Sequence, residues 1–327
     1  MDVIHYPDDP RPLSWRSPVL ALGNFDGLHR GHIKIIERIQ RGANERAGTS
    51  VVLTFDPHPP RILRPDKAPP LLMTKAQKLD ALARAGVQGA AVVRFTREMS
   101  QWEPELFVRN VLVDWLRVAE VWVGADFLFG RERSGNFTLL RTLGAQLGFR
   151  AEKIDPIRYK DFIVSSTRIR RLVAEGRVDE AGALLGRHYA IEGTVVEGAK
   201  RGREIGFPTA NLATDNDLIP PHGVYATVSM IDGTAYPSVT NIGQRPTIGD
   251  QLATTIETHV MRFDAGVGTD AAVAQGPATW DLYGKTLRLS FVQRLRDERK
   301  FPDLEALQEQ IAADVRRATR LFDRLSV

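Results

Sequence analysis

The sequence predicts an α/β domain followed by a β-rich domain that ends in a helix. Up to about Gly186, apolar strand-like segments alternate with segments of helical periodicity. From His188 onward, short β-rich segments follow one another with turn residues between them. The length of 327 residues suits two domains of ordinary size. We therefore predict two domains, residues 1–186 and residues 187–327.

Strands and helices alternate through the first half of the chain. The predicted strands are residues 19–25, 50–55, 90–95 and 120–123. The predicted helices are residues 32–40, 74–85, 100–115, 139–147, 166–175 and 179–185. Capping boxes, Thr74 with Gln77 and Ser100 with Glu103, indicate the starts of two of these helices. Because strands that alternate with helices form βαβ units, we expect a parallel sheet with helices on both faces.

Turn residues separate the strands predicted for the second half. These strands are residues 190–196, 224–231, 235–240, 255–263 and 286–295. Asp232-Gly233 and Tyr283-Gly284-Lys285 are typical turn sequences. Consecutive strands without helices predict an antiparallel sandwich or barrel, and the apolar spacing in residues 303–325 predicts a helix packed on it. The Gly/Ala-rich residues 265–279 are expected to form a loop.

Composition excludes several classes of protein. Hydrophobic residues make up 43% of the chain and charged residues 26%, as in globular proteins, and no apolar run approaches the roughly 20 residues of a membrane helix. Residues 1–12 are acidic and proline-rich, so no secretory signal is expected. The chain has no cysteine, which removes disulfides and thiolate chemistry and is compatible with a reducing cytoplasm. The net charge of +4 suits anionic small molecules, and without a dense Lys/Arg block we expect neither a nucleic-acid nor a membrane partner.

Two motifs in the first half are suited to phosphate binding. Residues 23–32 lie where a strand ends and a helix starts, so glycines and free N–H groups are available to a phosphate. Both His29 and His32 can donate hydrogen bonds to phosphate oxygens there. Ser166, Thr167 and Arg170 open a later helix. Alone they are typical of an N-cap, but together with the first motif they predict a second phosphate clamp.

These motifs, together with residues 54–59 and 123–130, resemble the FAD synthetase module of bacterial bifunctional riboflavin kinase/FAD synthetases, within the nucleotidylyltransferase superfamily. The resemblance implies a Rossmann-like domain in which an FMN phosphate oxygen attacks the α-phosphorus of ATP and pyrophosphate leaves. It implies that His29 and His32 stabilise the α-phosphate, and that Ser166, Thr167 and Arg170 hold the β- and γ-phosphates. The further ATP or FMN contacts that it implies are Gly23, Asn24, Phe25, Asp26, Gly31, His58, Asp126, Phe129 and Gly130. For His58 a role as a turn residue is the alternative, and Ile163 replaces a residue that is basic in some relatives.

The second half contains a different group of polar residues. Thr209 and Asn211 are two positions apart, so on an extended segment their side chains lie on the same side. A hydroxyl and an amide oxygen are hard ligands suited to Mg²⁺ that bridges phosphates. The Walker phosphate-loop pattern is missing from this segment. Glu257 is a candidate general base for a primary hydroxyl, although a strand glutamate is often simply solvent-facing.

Residues 206–211, 223–226, 241–247, 257–259, 281–285 and 295–301 together resemble riboflavin kinase. The resemblance implies a six-stranded antiparallel Greek-key barrel, Mg²⁺ at Thr209 and Asn211, and Glu257 as the base toward the ribityl 5′-hydroxyl. The further ATP or flavin contacts that it implies are Lys200, Arg201, Gly202, Gly206, Phe207, Pro208, Tyr225, Asn241, Arg245 and Arg296. Residues 265–280 are an insertion relative to that pattern.

The two resemblances together predict a bifunctional enzyme that converts riboflavin to FMN in its second domain and FMN to FAD in its first. Its expected partners are riboflavin, FMN, FAD, ATP, ADP and pyrophosphate, with Mg²⁺ accompanying ATP and no permanently bound cofactor. We expect a cytoplasmic protein, and a weak homo-oligomer remains open. The alternative is a nucleotide- or flavin-binding regulator that has lost turnover. Such a regulator is expected to lack His29, His32, Thr209 or Glu257, and all four are present.

Overall fold

The computed structural model describes residues 1–198, 206–246, 252–261 and 282–325, without the side chains of residues 245, 246, 252 and 253. The chain forms two compact units, Met1–Ser166 and Thr167–Val327. The residues between 167 and 186 therefore group with the second unit. The predicted domain boundary after residue 186 stays a prediction, since the units are defined by packing and not by function.

The first unit is built on a six-stranded parallel sheet. Its strands are β1 (Asp2–Tyr6), β2 (Val19–Leu22), β3 (Ser50–Asp56), β4 (Gly89–Arg94), β5 (Glu120–Gly124) and β8 (Arg150–Ile154). Their order is β1-β4-β3-β2-β5-β8, and all neighbours pair in parallel. Two short hairpins, β6 (Leu128–Phe129) with β7 (Gly135–Asn136) and β9 (Arg158–Tyr159) with β10 (Phe162–Ile163), lie outside this sheet. Every residue of β2 is buried, as expected for a strand covered on both faces.

Helices connect the strands of the first unit. They are α1 (Arg30–Glu45), α2 (Pro59–Leu63), α3 (Lys75–Arg84), α4 (Pro104–Phe107), which continues as a π-helix over Val108–Trp115, and α5 (Phe137–Leu147). The predicted capping box of Thr74 and Gln77 is confirmed. The predicted box of Ser100 and Glu103 is wrong.

The Ser100 hydroxyl donates to the carbonyl of Arg97 within a short 3₁₀ turn, Met99–Gln101. The helix begins instead at Pro104, because proline favours the first helical position and lacks the N–H that a cap would satisfy. The edge strands β1 and β8 were not predicted, since each contains few apolar residues.

The second unit contains a closed antiparallel barrel of six strands. They are β11 (Tyr189–Val196), β12 (Ala210–Thr214), β13 (Gly223–Ile231), β14 (Thr234–Pro246), β15 (Leu252–Val260) and β16 (Thr286–Arg296), in the order β11-β12-β15-β14-β13-β16. Asp232 and Gly233, both with positive φ, form the predicted two-residue turn between β13 and β14. The predicted antiparallel β domain is therefore a closed barrel. The loop predicted at residues 265–279 lies outside the described residues.

Two helices precede the barrel strands in the sequence and one follows them: α6 (Ser166–Ala174), α7 (Val178–Leu185) and α8 (Leu304–Leu325). Ala318 and Phe322 of α8 pack against Val224 and Val239 on the outside of the barrel, as the apolar spacing of that segment predicts. Inside the barrel, Tyr225 packs edge-on against Phe291. In the part of the chain that the structure describes, no helix is long and apolar enough to cross a membrane.

Candidate active sites

The strand order of the first unit brings three of the predicted motifs to one edge of the sheet. Strand β2 lies between β3 and β5. Residues 54–59, 23–32 and 123–130 therefore lie at the carboxyl ends of three adjacent parallel strands. The chain leaves β2 toward β3 and later returns to β5 on the other side, which makes this a topological switch point. Ligands bind at such points in open α/β sheets.

The loop after β2 contains three residues with positive φ, and a buried aspartate side chain anchors it to the neighbouring backbone. Phe25, Gly27 and Leu28 have positive φ values of 50°, 83° and 39°. Both carboxylate oxygens of Asp26 accept a hydrogen bond from the backbone N–H of Leu72, at 3.0 and 3.1 Å. Left-handed backbone at non-glycine residues is strained and is typical of ligand-binding loops. The predicted contacts Phe25 and Asp26 are both buried, so their side chains support the loop.

His29 and His32 lie together at the start of α1. His29 is the N-cap residue, and its Nδ1 accepts a hydrogen bond from the backbone N–H of His32 at 3.3 Å. The two rings are stacked with centroids 3.6 Å apart, and the ring of Phe25 lies 4.9 Å from that of His32. A Cβ on Gly31 would lie 3.2 Å from the His29 ring, so glycine at this position leaves room for the pair. The arrangement places two imidazoles beside a helix N-terminus, where an anion is stabilised.

Ser166 connects the second phosphate motif to this loop. Its hydroxyl donates to the carbonyl of Asp26 at 2.8 Å. The same residue begins α6, with Thr167 in the first turn and Arg170 one turn later on the same helix. Ser166 therefore contacts the loop that carries the two histidines, and the second phosphate clamp stays a prediction.

The remaining predicted contacts of the first unit lie around the same sheet edge. His58 is buried at the N-cap position of α2, and Asp126 is exposed just after β5. Phe129 is buried and stacks on Phe127 with ring centroids 5.3 Å apart. A Cβ on Gly130, whose φ is +72°, would lie 2.6 Å from the Pro104 ring. Phe129 and Gly130 thus shape the loop that follows β5.

Lys78 is a residue of this site that the sequence analysis missed. Only 8% of it is exposed, and its ammonium donates to the carbonyl of Asn24 at 2.9 Å and to Thr54 Oγ1 at 3.1 Å. Burial lowers the pKa of Lys78, while the negative charges of Asp26 and Asp56 oppose that shift. The sequence contains one indication that Lys78 is buried. It lies four residues before the buried Leu82 and hence on the core face of α3.

The strand register of the barrel aligns the candidate kinase residues. Asn211 pairs with Glu257 across β12 and β15, and Glu257 pairs with Asn241 across β15 and β14. The row continues through Val224 to Arg296. Because directly opposite residues project from the same face of a sheet, Asn211, Glu257 and Asn241 form a continuous polar row. Val224 packs against α8, which places this row on the outside of the barrel.

Glycine at position 198 makes room for the amide of Asn211. A Cβ on Gly198 would lie 2.1 Å from Asn211 Nδ2, so no larger residue fits without displacing that side chain. Thr209 is exposed two residues before Asn211, at the start of β12. The Asn211 amide oxygen, the Glu257 carboxylate opposite it and the Thr209 hydroxyl are all oxygen donors of the kind that hard divalent cations prefer. Among the described residues, no group of three His, Cys, Asp or Glu side chains could hold a metal by itself.

Several residues flank the polar row. Phe207 contacts the His259 ring edge-on with centroids 5.4 Å apart, and the His259 Nδ1 lies 2.9 Å from the carbonyl of Pro208. Gly206 has a φ of +80° before these residues. The predicted contacts Lys200, Arg201 and Gly202 lie outside the described residues, as does the side chain of Arg245.

Arg296 and Tyr225 each form hydrogen bonds with other residues of the second unit. The guanidinium of Arg296 donates to both carboxylate oxygens of Asp314 on α8, with distances from 2.8 to 3.1 Å. Asp314 is buried. Tyr225 is fully buried, and its hydroxyl donates to the carbonyl of Pro221 at 2.6 Å. Burial raises the pKa of Tyr225 to about 12. These partners favour a structural role for the two side chains in the barrel.

Comparisons with known proteins assign the two halves of the chain to two different families of domains. A family model described as FAD synthetase matches residues 12–168, and one described as riboflavin kinase matches residues 185–322. A bifunctional riboflavin kinase/FMN adenylyltransferase of Pseudomonas fluorescens is 37% identical over 94% of this chain and 93% of its own length. The protein of the same description from Bacillus subtilis is 34% identical, with the same coverage of both chains. A crystal structure described as a macrolide-efflux protein from Streptococcus pneumoniae superposes with a TM-score of 0.83 and 27% identity, over 97% of this chain and 98% of that one.

Proposed function

The chain belongs to the family of bifunctional riboflavin kinase/FMN adenylyltransferases, and we propose that two separate groups of its residues carry the two reactions. The family's activities make riboflavin, FMN, FAD and ATP its substrates and products. The first group surrounds the start of α1, and the second is the polar row on β12, β15 and β14. The single observation that carries the division is that the residues of the two groups, apart from Arg170, lie in segments matched by two different family models.

In the adenylyl-transfer reaction, a phosphate oxygen of FMN attacks the α-phosphorus of ATP, and the bond to the β-phosphate breaks to release pyrophosphate. His29 and His32 hydrogen-bond to the α-phosphate as negative charge develops on its oxygens. Ser166, Thr167 and Arg170 hold the phosphates that leave. No covalent enzyme intermediate is needed, so catalysis rests on positioning and charge stabilisation. The stacked histidine pair at a helix N-terminus supports this assignment.

Around that centre, the other predicted contacts have supporting roles. Gly23, Asn24, Phe25, Asp26 and Gly31 shape the loop that carries the histidines. The nucleotide or flavin lies beside this loop and contacts the segments that follow β3 and β5, at His58, Asp126, Phe129 and Gly130. The position of these segments at the carboxyl ends of β3 and β5 supports that proposal.

In the kinase reaction, Glu257 accepts the proton of the ribityl 5′-hydroxyl, and the hydroxyl oxygen attacks the γ-phosphorus of ATP, from which ADP leaves. Thr209 and Asn211 are the residues that would hold Mg²⁺. When bound, Mg²⁺ neutralises charge on the phosphates. Asn241 lies in the same row and is placed to orient the flavin or the phosphates. The register that makes Asn211 and Glu257 neighbours supports this proposal, as does the space that Gly198 leaves.

The remaining contacts of the second domain, the bounds of the two domains and the cellular location are also proposals. Lys200, Arg201, Gly202, Gly206, Phe207, Pro208 and Arg245 are proposed to line the ATP or flavin site of the second domain. The two functional domains are proposed to be residues 1–186 and 187–327. We also propose a cytoplasmic location, because both reactions consume ATP.

One assay tests both reactions. The purified chain is incubated with riboflavin, ATP and Mg²⁺, and flavins are separated by chromatography with fluorescence detection. Successive appearance of FMN and FAD is expected. A folded chain that makes neither FMN from riboflavin nor FAD from supplied FMN would contradict the proposal.

A further inference from the structure

The buried ammonium of Lys78 is bonded to the loop that carries the two histidines. Lys78 belongs to α3, and its Nζ donates to the carbonyl of Asn24 at 2.9 Å and to Thr54 Oγ1 at 3.1 Å. The Thr54 hydroxyl donates to the same carbonyl at 3.0 Å. The Asn24 carbonyl therefore accepts one hydrogen bond from α3 and one from β3. A buried polar network whose members are all hydrogen-bonded is rigid, so the chain is held firmly where it leaves β2.

The next residue of the loop transmits this position to the histidines. Phe25 follows Asn24 directly and is buried, with a φ of 50°. Its ring lies 4.9 Å from the ring of His32, and a Cβ on Gly23 would lie 3.3 Å from it. The ring is thus packed between the backbone at Gly23 and the imidazole of His32. Because protein interiors are close-packed and transmit small displacements, a shift of the Asn24 peptide would move this ring against His32.

The buried position of Lys78 is costly for a charged side chain. Burial lowers its pKa, and the negative charges of Asp26 and Asp56 offset only part of that effect. An apolar side chain of similar size would avoid the cost of removing the ammonium from water. A residue that breaks a stability rule beside a functional site is typical of residues retained for function.

We propose that Lys78 is a positioning residue for adenylyl transfer, which sets the place of His32 by holding the Asn24 carbonyl and, through it, the ring of Phe25. This inference rests on the adenylyl-transfer site proposed above. Lys78 acts through the loop, since its ammonium is buried against Asn24 and Thr54. Positioning matters here because a displacement of about 1 Å at a catalytic group can cost about a hundredfold in rate.

Steady-state FAD formation from supplied FMN and ATP tests this role in the full-length chain. Lys78→Met keeps an unbranched side chain of similar length and removes the ammonium. We expect kcat to fall by about ten- to a hundredfold. The KM values for FMN and ATP should stay near those of the wild type, because the histidines act on charge that develops in the transition state. The matched control is Lys34→Met, at an exposed lysine of α1, which should leave kcat unaltered.

The dependence of the effect on His32 distinguishes positioning from a merely structural role. In the His32→Ala background, Lys78→Met is expected to lower kcat further by no more than about twofold, because a positioning residue acts only through the group that it positions. A lysine that only stabilises the fold would lower kcat by the same factor in both backgrounds, and that result would overturn the inference. Far-UV circular dichroism reports that each variant is folded. If Lys78→Met does not fold, Thr54→Val removes the other donor to the Asn24 carbonyl and is tested in the same way.

The outcomes separate this inference from the proposed function. If the wild-type chain forms FAD and Lys78→Met retains the wild-type kcat, only this inference fails. A raised KM with an unaltered kcat would also contradict it, since that pattern indicates a substrate contact. If the wild-type chain forms no FAD from supplied FMN, the adenylyl-transfer assignment itself is wrong. Riboflavin phosphorylation should be unaltered in every variant, because the proposed kinase residues lie in the second unit.

Discussion

Asn211 lies directly opposite Glu257 in the antiparallel register of β12 and β15. Opposite residues in such a pair have Cβ atoms about 4.5–5.5 Å apart and project from the same face. The residue proposed for the phosphate end of the kinase site and the residue proposed as its base are therefore immediate neighbours. This adjacency makes the roles of the two residues separable by substitution.

Loss of the base should affect only the kinase reaction. Glu257→Gln keeps the shape of the side chain but removes the proton acceptor, so riboflavin phosphorylation is expected to fall by about 10²–10⁴-fold. FAD formation from supplied FMN should persist. The matched control is Glu192→Gln on β11, the same change on another barrel strand, which should leave phosphorylation intact. Equal loss of both activities in Glu257→Gln would argue against two separate sites.

The histidine pair should matter only for adenylyl transfer. His32→Ala removes one donor to the α-phosphate, and FAD formation is expected to fall by about 10²–10³-fold. FMN should accumulate from riboflavin in the same reaction, as chromatography of the flavins would reveal. His5→Ala changes a half-exposed histidine on β1 of the same unit and serves as the control. Normal FAD formation by His32→Ala would remove this residue from the reaction.

Gly198 should be required by the kinase reaction without contributing a functional group. In Gly198→Ala the new methyl group overlaps the amide of Asn211, so that side chain must move. Displacing a catalytic contact by about 1 Å can cost about a hundredfold in rate. We expect riboflavin phosphorylation to fall by that order, and the loss to be no greater in Gly198→Ala combined with Asn211→Ala than in Asn211→Ala alone. Fully additive losses would show that Gly198 acts elsewhere.

The buried Lys78 should make the stability of the first unit depend on pH. Its pKa is lowered below the ordinary value of 10.5 in the folded chain, mainly by burial, so between the two values the unfolded chain binds more protons. The free energy of unfolding then rises with pH in that window, by up to about 1.4 kcal/mol per pH unit.

Lys78→Met cannot titrate, so the wild type should gain stability relative to it as the pH rises toward 10.5. Urea unfolding followed by far-UV circular dichroism at several pH values measures this difference. The control is Lys34→Met, the same substitution at an exposed lysine of α1. A difference between wild type and Lys78→Met that does not vary with pH would contradict the prediction.

The ion pair of Arg296 and Asp314 should hold α8 on the barrel. Asp314→Ala leaves the half-buried guanidinium without its carboxylate, which typically costs about 3 kcal/mol of stability. Faster hydrogen exchange in α8 and in β14, on which it packs, is the expected result. Asp323→Ala alters an exposed aspartate of the same helix and should leave exchange unchanged. Unaltered exchange in Asp314→Ala would mean that apolar packing alone holds the helix.

Much of the fold could be predicted because it depends on local patterns. The periodicity of apolar residues predicted four strands of the parallel sheet, and the turn at Asp232 and Gly233 predicted the hairpin of β13 and β14. The edge strand β1 was missed because a short strand with polar and ionisable side chains has a weak apolar signal. The start of α4 was misplaced because Pro104 outweighed the Ser100 pattern.

The sequence by itself determined which chemical groups are available: two histidines at a helix start, a hydroxyl and an amide two positions apart, and a strand glutamate. These are properties of residue type and short spacing, so they can be read without a fold. Only the tertiary structure decided which of them are neighbours. Strand register sets Glu257 beside Asn211, and a fold over long sequence distance brings Tyr159 to Arg30 and Lys78 beneath Asn24. Such pairings depend on how the whole chain is packed, and local sequence patterns do not encode them.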